Sequence, residues 1–91
     1  MADKQTVLFQ NGDRAVVEPC ESGMPYRVEN LVRVDGTGTI RWRAHLPENT
    51  GPDCFVAVAS DDGLLIATTW SGFRVELDPV SGQHRRTAFV K

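Results

Sequence analysis

The chain is poor in cysteine, in aromatic residues, in long apolar runs and in net charge. Its 91 residues include two cysteines, Cys20 and Cys54, too far apart to form a Cys-x-x-Cys pair. That excludes a local redox or zinc motif, and with no export signal in view free thiols are the expectation. No segment nears the roughly 20 apolar residues of a membrane span. The polar start, residues 1–5, leads only into Val7-Leu8-Phe9, short of the roughly 7–15-residue apolar core of a secretory signal. A soluble cytoplasmic protein without membrane contact is expected. Ten Lys/Arg against twelve Asp/Glu leave a net charge of −2 and no basic run. The phosphate neutralisation that general nucleic-acid binding needs is therefore missing. Helical periodicity is missing too, since no window repeats apolar residues at i, i+3, i+4 and i+7.

What the chain does have is punctuation. Turn signals recur as Asn11-Gly12, Gly36-Thr37-Gly38, Asp62-Gly63, Ser71-Gly72 and Asp78-Pro79-Val80-Ser81-Gly82. Asn-Gly and Asp-Gly tolerate positive φ at successive residues, as tight two-residue hairpins require. Between the turns lie short runs rich in β-branched and aromatic residues, too brief for ordinary helices. Eight strands are predicted, near residues 5–10, 13–18, 28–35, 39–46, 54–60, 64–70, 73–78 and 83–90. In 39–46, Ile40, Trp42, Ala44 and Leu46 alternate with Arg41, Arg43 and His45; in 73–78, Phe73, Val75 and Leu77 alternate with Arg74, Glu76 and Asp78. A period of two places the first set of each on a core and the second in water. Segments 54–59 and 64–67 are more uniformly apolar, as suits central strands covered on both faces.

The two halves repeat. Val32-Arg33-Val34-Asp35-Gly36-Thr37-Gly38-Thr39-Ile40-Arg41 aligns with Val75-Glu76-Leu77-Asp78-Pro79, an insertion at Val80, then Ser81-Gly82-Gln83-His84-Arg85. Each half, about 5–46 and 54–90, reads as a four-stranded antiparallel meander, and a period in the low forties with four strands per unit suits a propeller blade. The segment from Trp70-Ser71-Gly72-Phe73 through Leu77-Asp78-Pro79-Val80-Ser81-Gly82 resembles the blade motif of quinoprotein-type (PQQ-like) β-propeller repeats, and Val34–Trp42 is a weaker copy. The resemblance implies blade-like sheets. It carries over no cofactor, because the quinone and calcium of that family sit on the axis of a complete ring, and two blades cannot build that funnel. The expected architecture is one all-β domain over 1–91, two tandem blade-like units packed as a small β-sandwich.

Catalytic chemistry finds no foothold. His45 and His84 lie 39 positions apart and neither has a Cys or second His within the next four positions, so no metal site is read. Nothing near either cysteine suggests a depressed thiol pKa, and no Gly-x-Ser-x-Gly elbow occurs. Asp61-Asp62 before Gly63 reads as turn chemistry. The sequence thus points away from an enzyme and from any cofactor. The notable cluster is basic: Arg41, Arg43 and His45 project from one predicted strand, and His84, Arg85 and Arg86 from its repeat equivalent. On outer strands such a row either protects an edge from uncontrolled pairing, the favoured reading, or recognises a partner. The expected role is a non-catalytic protein-interaction module acting through sheet faces or edges, forming a homo-oligomer such as a dimer or binding another protein. The alternative is a small-ligand or carbohydrate binder using loops 19–27 and 47–53, with Tyr26, Trp42 or Trp70 as stacking groups.

Overall fold

A computed structural model describes residues 5–19, 27–47 and 51–89, and every regular element among them is a strand. In chain order these are β1 (Thr6–Leu8), β2 (Arg14–Val17), β3 (Arg27–Val28), β4 (Leu31–Val34), β5 (Ile40–Arg43), β6 (Asp53–Asp61), β7 (Leu64–Thr69), β8 (Phe73–Leu77) and β9 (His84–Phe89). The turn residues do what their chemistry allows. Asp62 at φ 49° and Gly63 at φ 81° supply the two successive positive angles of the β6–β7 hairpin, the backbone twist that lets two strands leave a two-residue loop side by side.

The strands form a sheet ordered β1-β2-β4-β5 and a sheet ordered β3-β6-β7-β8-β9, packed as a small β-sandwich. Each predicted half thus forms its own antiparallel meander. The fifth strand is a departure. The predicted strand 28–35 is broken at Glu29-Asn30, so that β3 pairs in parallel with β6 of the other sheet while β4 stays with its own. The break is held by Asn30, 2% exposed, whose amide donates to the carbonyls of Glu18 and Phe55 and accepts from Phe55 N–H.

Alternation sorts the faces. Ala15, Val17, Leu31, Trp42, Ala44 and Leu46 join Phe55, Val58, Leu65, Ala67, Val75 and Leu77 in one core between the sheets. Apolar burial of this kind contributes about 25 cal/mol per Å². The uniformly apolar stretches 54–59 and 64–67 are not covered on both faces as expected: Val56 is 41% exposed and β7 alternates between partly and fully buried residues. Two sheets have only one inner face each.

Both modules carry the same irregularity. Pairing shifts between Arg33 and Val34 in β4–β5, and between Glu76 and Leu77 in β8–β9, which are aligned positions of the repeat. The turns that follow are each held by their aspartate, with different partners: Asp35 accepts from Thr37 N–H and Thr39 N–H, and Asp78 accepts from Ser81 N–H and from Val80 N–H of the insertion.

Candidate interaction surface

Strands β5 and β9 each end a sheet, so the basic cluster does lie on outer edges. The bulge, however, divides it. An extra residue in one strand breaks the alternation of side chains, and Arg41 is that residue: β4 pairs with Ile40 and Trp42 around it. Arg41 therefore leaves the row expected with Arg43 and His45, and its Nε donates to Asp13 Oδ2 at 2.6 Å. Ile40, expected inside, is 48% exposed for the same reason. Arg85 is the bulge residue of β9, and it reaches Asp78 Oδ2 at 3.4 Å.

Asp13 is the centre of a buried charge cluster that sequence reading missed. It is 2% exposed, and its Oδ2 also accepts from Arg33 Nε at 3.0 Å. Arg33 lies over the Phe9 ring, 3.8 Å from its centroid, and donates to Pro79 O at 2.6 Å. Burial alone would push the Asp13 carboxyl up; the hydrogen bonds and charges of Arg41 and Arg33 outweigh it and hold the pKa below the usual value. Only the outward-reading Arg in an otherwise apolar run (Leu31-Val32-Arg33-Val34) hinted at such a partner.

The remaining cations are largely neutralised within the chain. Arg43 donates to Glu18 Oε1 at 3.3 Å and to Glu29 O at 2.7 Å, and His45 Nδ1 donates to Glu29 Oε2 at 3.1 Å. His84 Nε2 donates to the carbonyl of His45, so the two histidines, distant in sequence, meet where the start of β9 reaches the segment after β5. An open cleft of about 510 Å³ lies at this corner, with Arg43, His45, Gln83 and His84 on its walls. Among the described residues, Arg41, Arg43 and Arg85 each have an ion pair and Arg86 has none. Exposed pairs of this kind contribute on the order of 0–1 kcal/mol each, but they leave little uncompensated charge for an acidic partner.

The aromatic candidates separate. Trp42 is 9% exposed, its indole N–H donates to Pro79 O at 3.0 Å, and a Cβ on Gly82 would stand 2.5 Å from its ring. It is a core anchor and has no open ring face toward Gly82 for a ligand. Trp70, 62% exposed, lies on the β7–β8 turn. Tyr26, with the rest of residues 20–26 of the first loop and residues 48–50 of the second, falls outside the described residues. Cys54 is disulfide-bonded, which overturns the expectation of free thiols, and Cys20 is the sole other cysteine of the chain. Among the described residues, no group of three His, Cys, Asp or Glu side chains could hold a metal ion, and no helix is long and apolar enough to cross a membrane.

Comparison with known proteins adds one match. A family model described as a domain of unknown function (DUF7957) covers residues 5–89. No curated protein and no solved structure matches the chain.

Proposed function

The chain belongs to the DUF7957 family, and from the geometry above we propose that it is a non-catalytic interaction module that associates with further copies of itself through its open sheet faces. The observation that carries this reading is the outer face of the first sheet. Leu8, 79% exposed, and Ile40, 48% exposed, share that face with the partly exposed Val16 and Val34. Arg14 lies between Leu8 and Val34 on this face, and exposed apolar side chains gathered on one open sheet face favour association with a second surface. The neutralised cations support the same reading by elimination, because the basic row then serves edge protection rather than capture of an acidic partner.

The cytoplasmic expectation and that of free thiols both came from the lack of a recognisable export signal. With Cys54 in a disulfide, an oxidising compartment becomes the reading the chemistry favours. Size-exclusion chromatography with light scattering over a concentration series tests self-association. A mass above 10.1 kDa that rises with concentration is expected; a monomer throughout removes the proposal.

A further inference from the structure

We infer that the cleft between the end of β5 and the β8–β9 turn binds a small ligand through a phosphate or sulfate group, and does so as its two histidines gain charge. The inference is independent of the self-association proposed above, which concerns the outer face of the first sheet.

The cleft follows from how the two sheets are joined. Trp42 packs on Gly82 and donates its indole N–H to Pro79 O. The residues that follow each, 43–46 and 81–84, therefore stand across from one another as the two walls. His84 Nε2 donates to the carbonyl of His45 and ties the walls together. The space, about 510 Å³, falls within the roughly 300–1,000 Å³ of small-ligand clefts.

The lining selects the ligand. Arg43 and His45 stand on one wall and Ser81, Gln83 and His84 on the other, and no carboxylate among the described residues lines the space. Nη1 of Arg43 serves Glu18 and the Glu29 carbonyl; its Nε and Nη2 have no partner among the described residues. Ser81 Oγ accepts from Gln83 N–H and keeps its own proton to donate. Donors on two facing walls suit the oxygens of a tetrahedral oxyanion, which point in four directions, better than the two of a planar carboxylate. A large acidic partner would also meet Glu18 and Glu29, whereas a small anion between the walls meets donors.

The histidines set the condition. His45 Nδ1 faces Glu29 Oε1 at 3.3 Å and Oε2 at 3.1 Å, so the neutral ring keeps its proton there and Nε2 is an acceptor. His84 directs its Nε2 proton to His45 O, and its Nδ1 lies 3.4 Å from Thr87 Oγ. The neutral pair thus offers an anion no N–H. Protonation gives His45 Nε2 a hydrogen and places two positive charges beside Arg43, a change histidine side chains make between about pH 8 and 5. Glu29 on His45 and Glu18 on Arg43 are the carboxylates in contact with these walls, and Glu29 favours the charged ring. Asp78 and Arg85, on the elements of the second wall, pair with each other.

Sulfate, which keeps its double charge throughout this range, is the probe. The imidazole C–H signals are followed by NMR as sodium sulfate replaces sodium chloride at constant ionic strength. At about pH 5.5 the His45 and His84 signals are expected to move together and saturate, and at about pH 8 the affinity should fall about tenfold or more. Arg43→Gln should weaken binding about tenfold or more at the lower pH, while Arg74→Gln, which removes a cation paired with Glu76 on β8, should leave it unchanged. His45→Gln, at a side chain 83% exposed, should remove most of the pH dependence, and it decides the matter if Arg43→Gln does not fold by circular dichroism. Shifts that grow without saturating, equal affinity at the two pH values, or an Arg43→Gln variant that binds as Arg74→Gln does overturns the proposal.

Discussion

Asn30 and Phe55 exchange two hydrogen bonds across the junction of the sheets: Phe55 N–H donates to Asn30 Oδ1 at 2.7 Å, and Asn30 Nδ2 donates to Phe55 O at 2.8 Å. The side-chain amide thus stands where a neighbouring strand's peptide would, and lets the chain pass from β3 in one sheet to β4 in the other. The second Nδ2 hydrogen binds Glu18 O at 2.7 Å, so three buried or half-buried backbone groups depend on one residue.

Replacing that residue strands its partners. Asn30→Ala is expected to lower the unfolding free energy by about 3 kcal/mol, because buried groups left without partners lose on the order of 1–3 kcal/mol each. Urea denaturation measures it, and a loss under about 1 kcal/mol means water replaces the amide.

Trp42 and Gly82 form a second fitted pair. Trp42→Ala is expected to cost about 3–5 kcal/mol as a buried aromatic, and Arg43→Ala, an exposed ion-pair member, less than about 1 kcal/mol. Gly82 stands at φ 74° against the indole, so Gly82→Ala meets both backbone strain and a clash. In the Trp42→Ala background only the strain remains, and the double-mutant cycle should show Gly82→Ala costing less there. Equal costs in both backgrounds would show that the ring is not what excludes a side chain at position 82.

Acid stability follows from three carboxylates. Thr37 hydroxyl and N–H with Thr39 N–H hold Asp35 below its usual pKa; Val80 and Ser81 N–H groups hold Asp78 there; at Asp13 burial opposes, but Arg41 and Arg33 prevail. Groups whose pKa is depressed by folding contribute stability that is present above the unfolded value of 3.8 and lost as pH falls through the lower folded values. The melting temperature should therefore stay level from neutrality to about pH 5 and fall steeply below about pH 4. Asp35→Asn with Asp78→Asn should flatten that fall. A melting temperature unchanged down to pH 2 contradicts the assignment.

The disulfide at Cys54 adds a redox dependence. Reduction, or Cys54→Ser, is expected to lower stability by about 2–4 kcal/mol, chiefly by freeing the unfolded chain. Denaturation with and without reductant measures it, and identical midpoints would show that the bond does not restrain the fold.

The meanders were legible because turn chemistry and period two are local signals, written in Asp62-Gly63 and in Phe73-Arg74-Val75-Glu76-Leu77. The repeat was legible because each half closes its last hairpin with an aspartate followed by a hydroxyl residue and glycine, Asp35-Gly36-Thr37-Gly38 and Asp78-Pro79-Val80-Ser81-Gly82. What stayed hidden was non-local. Nothing beside Asn30 announces that its amide will bridge to Phe55, and nothing in 39–46 announces the bulge that turns Arg41 toward Asp13 and Ile40 toward water. Asp13 resembles any turn aspartate until two arginines, one from each of two later strands, close on it. The disulfide depended on spatial proximity that sequence separation concealed.

Hydroxyl-radical footprinting at low and high protein concentration tests self-association through the first sheet most directly. Leu8 and Ile40 should lose reactivity together as the protein is concentrated. Val80, 81% exposed in an insertion the first module lacks, should react equally at both concentrations. Leu8 and Ile40 reacting equally at both concentrations contradicts the account.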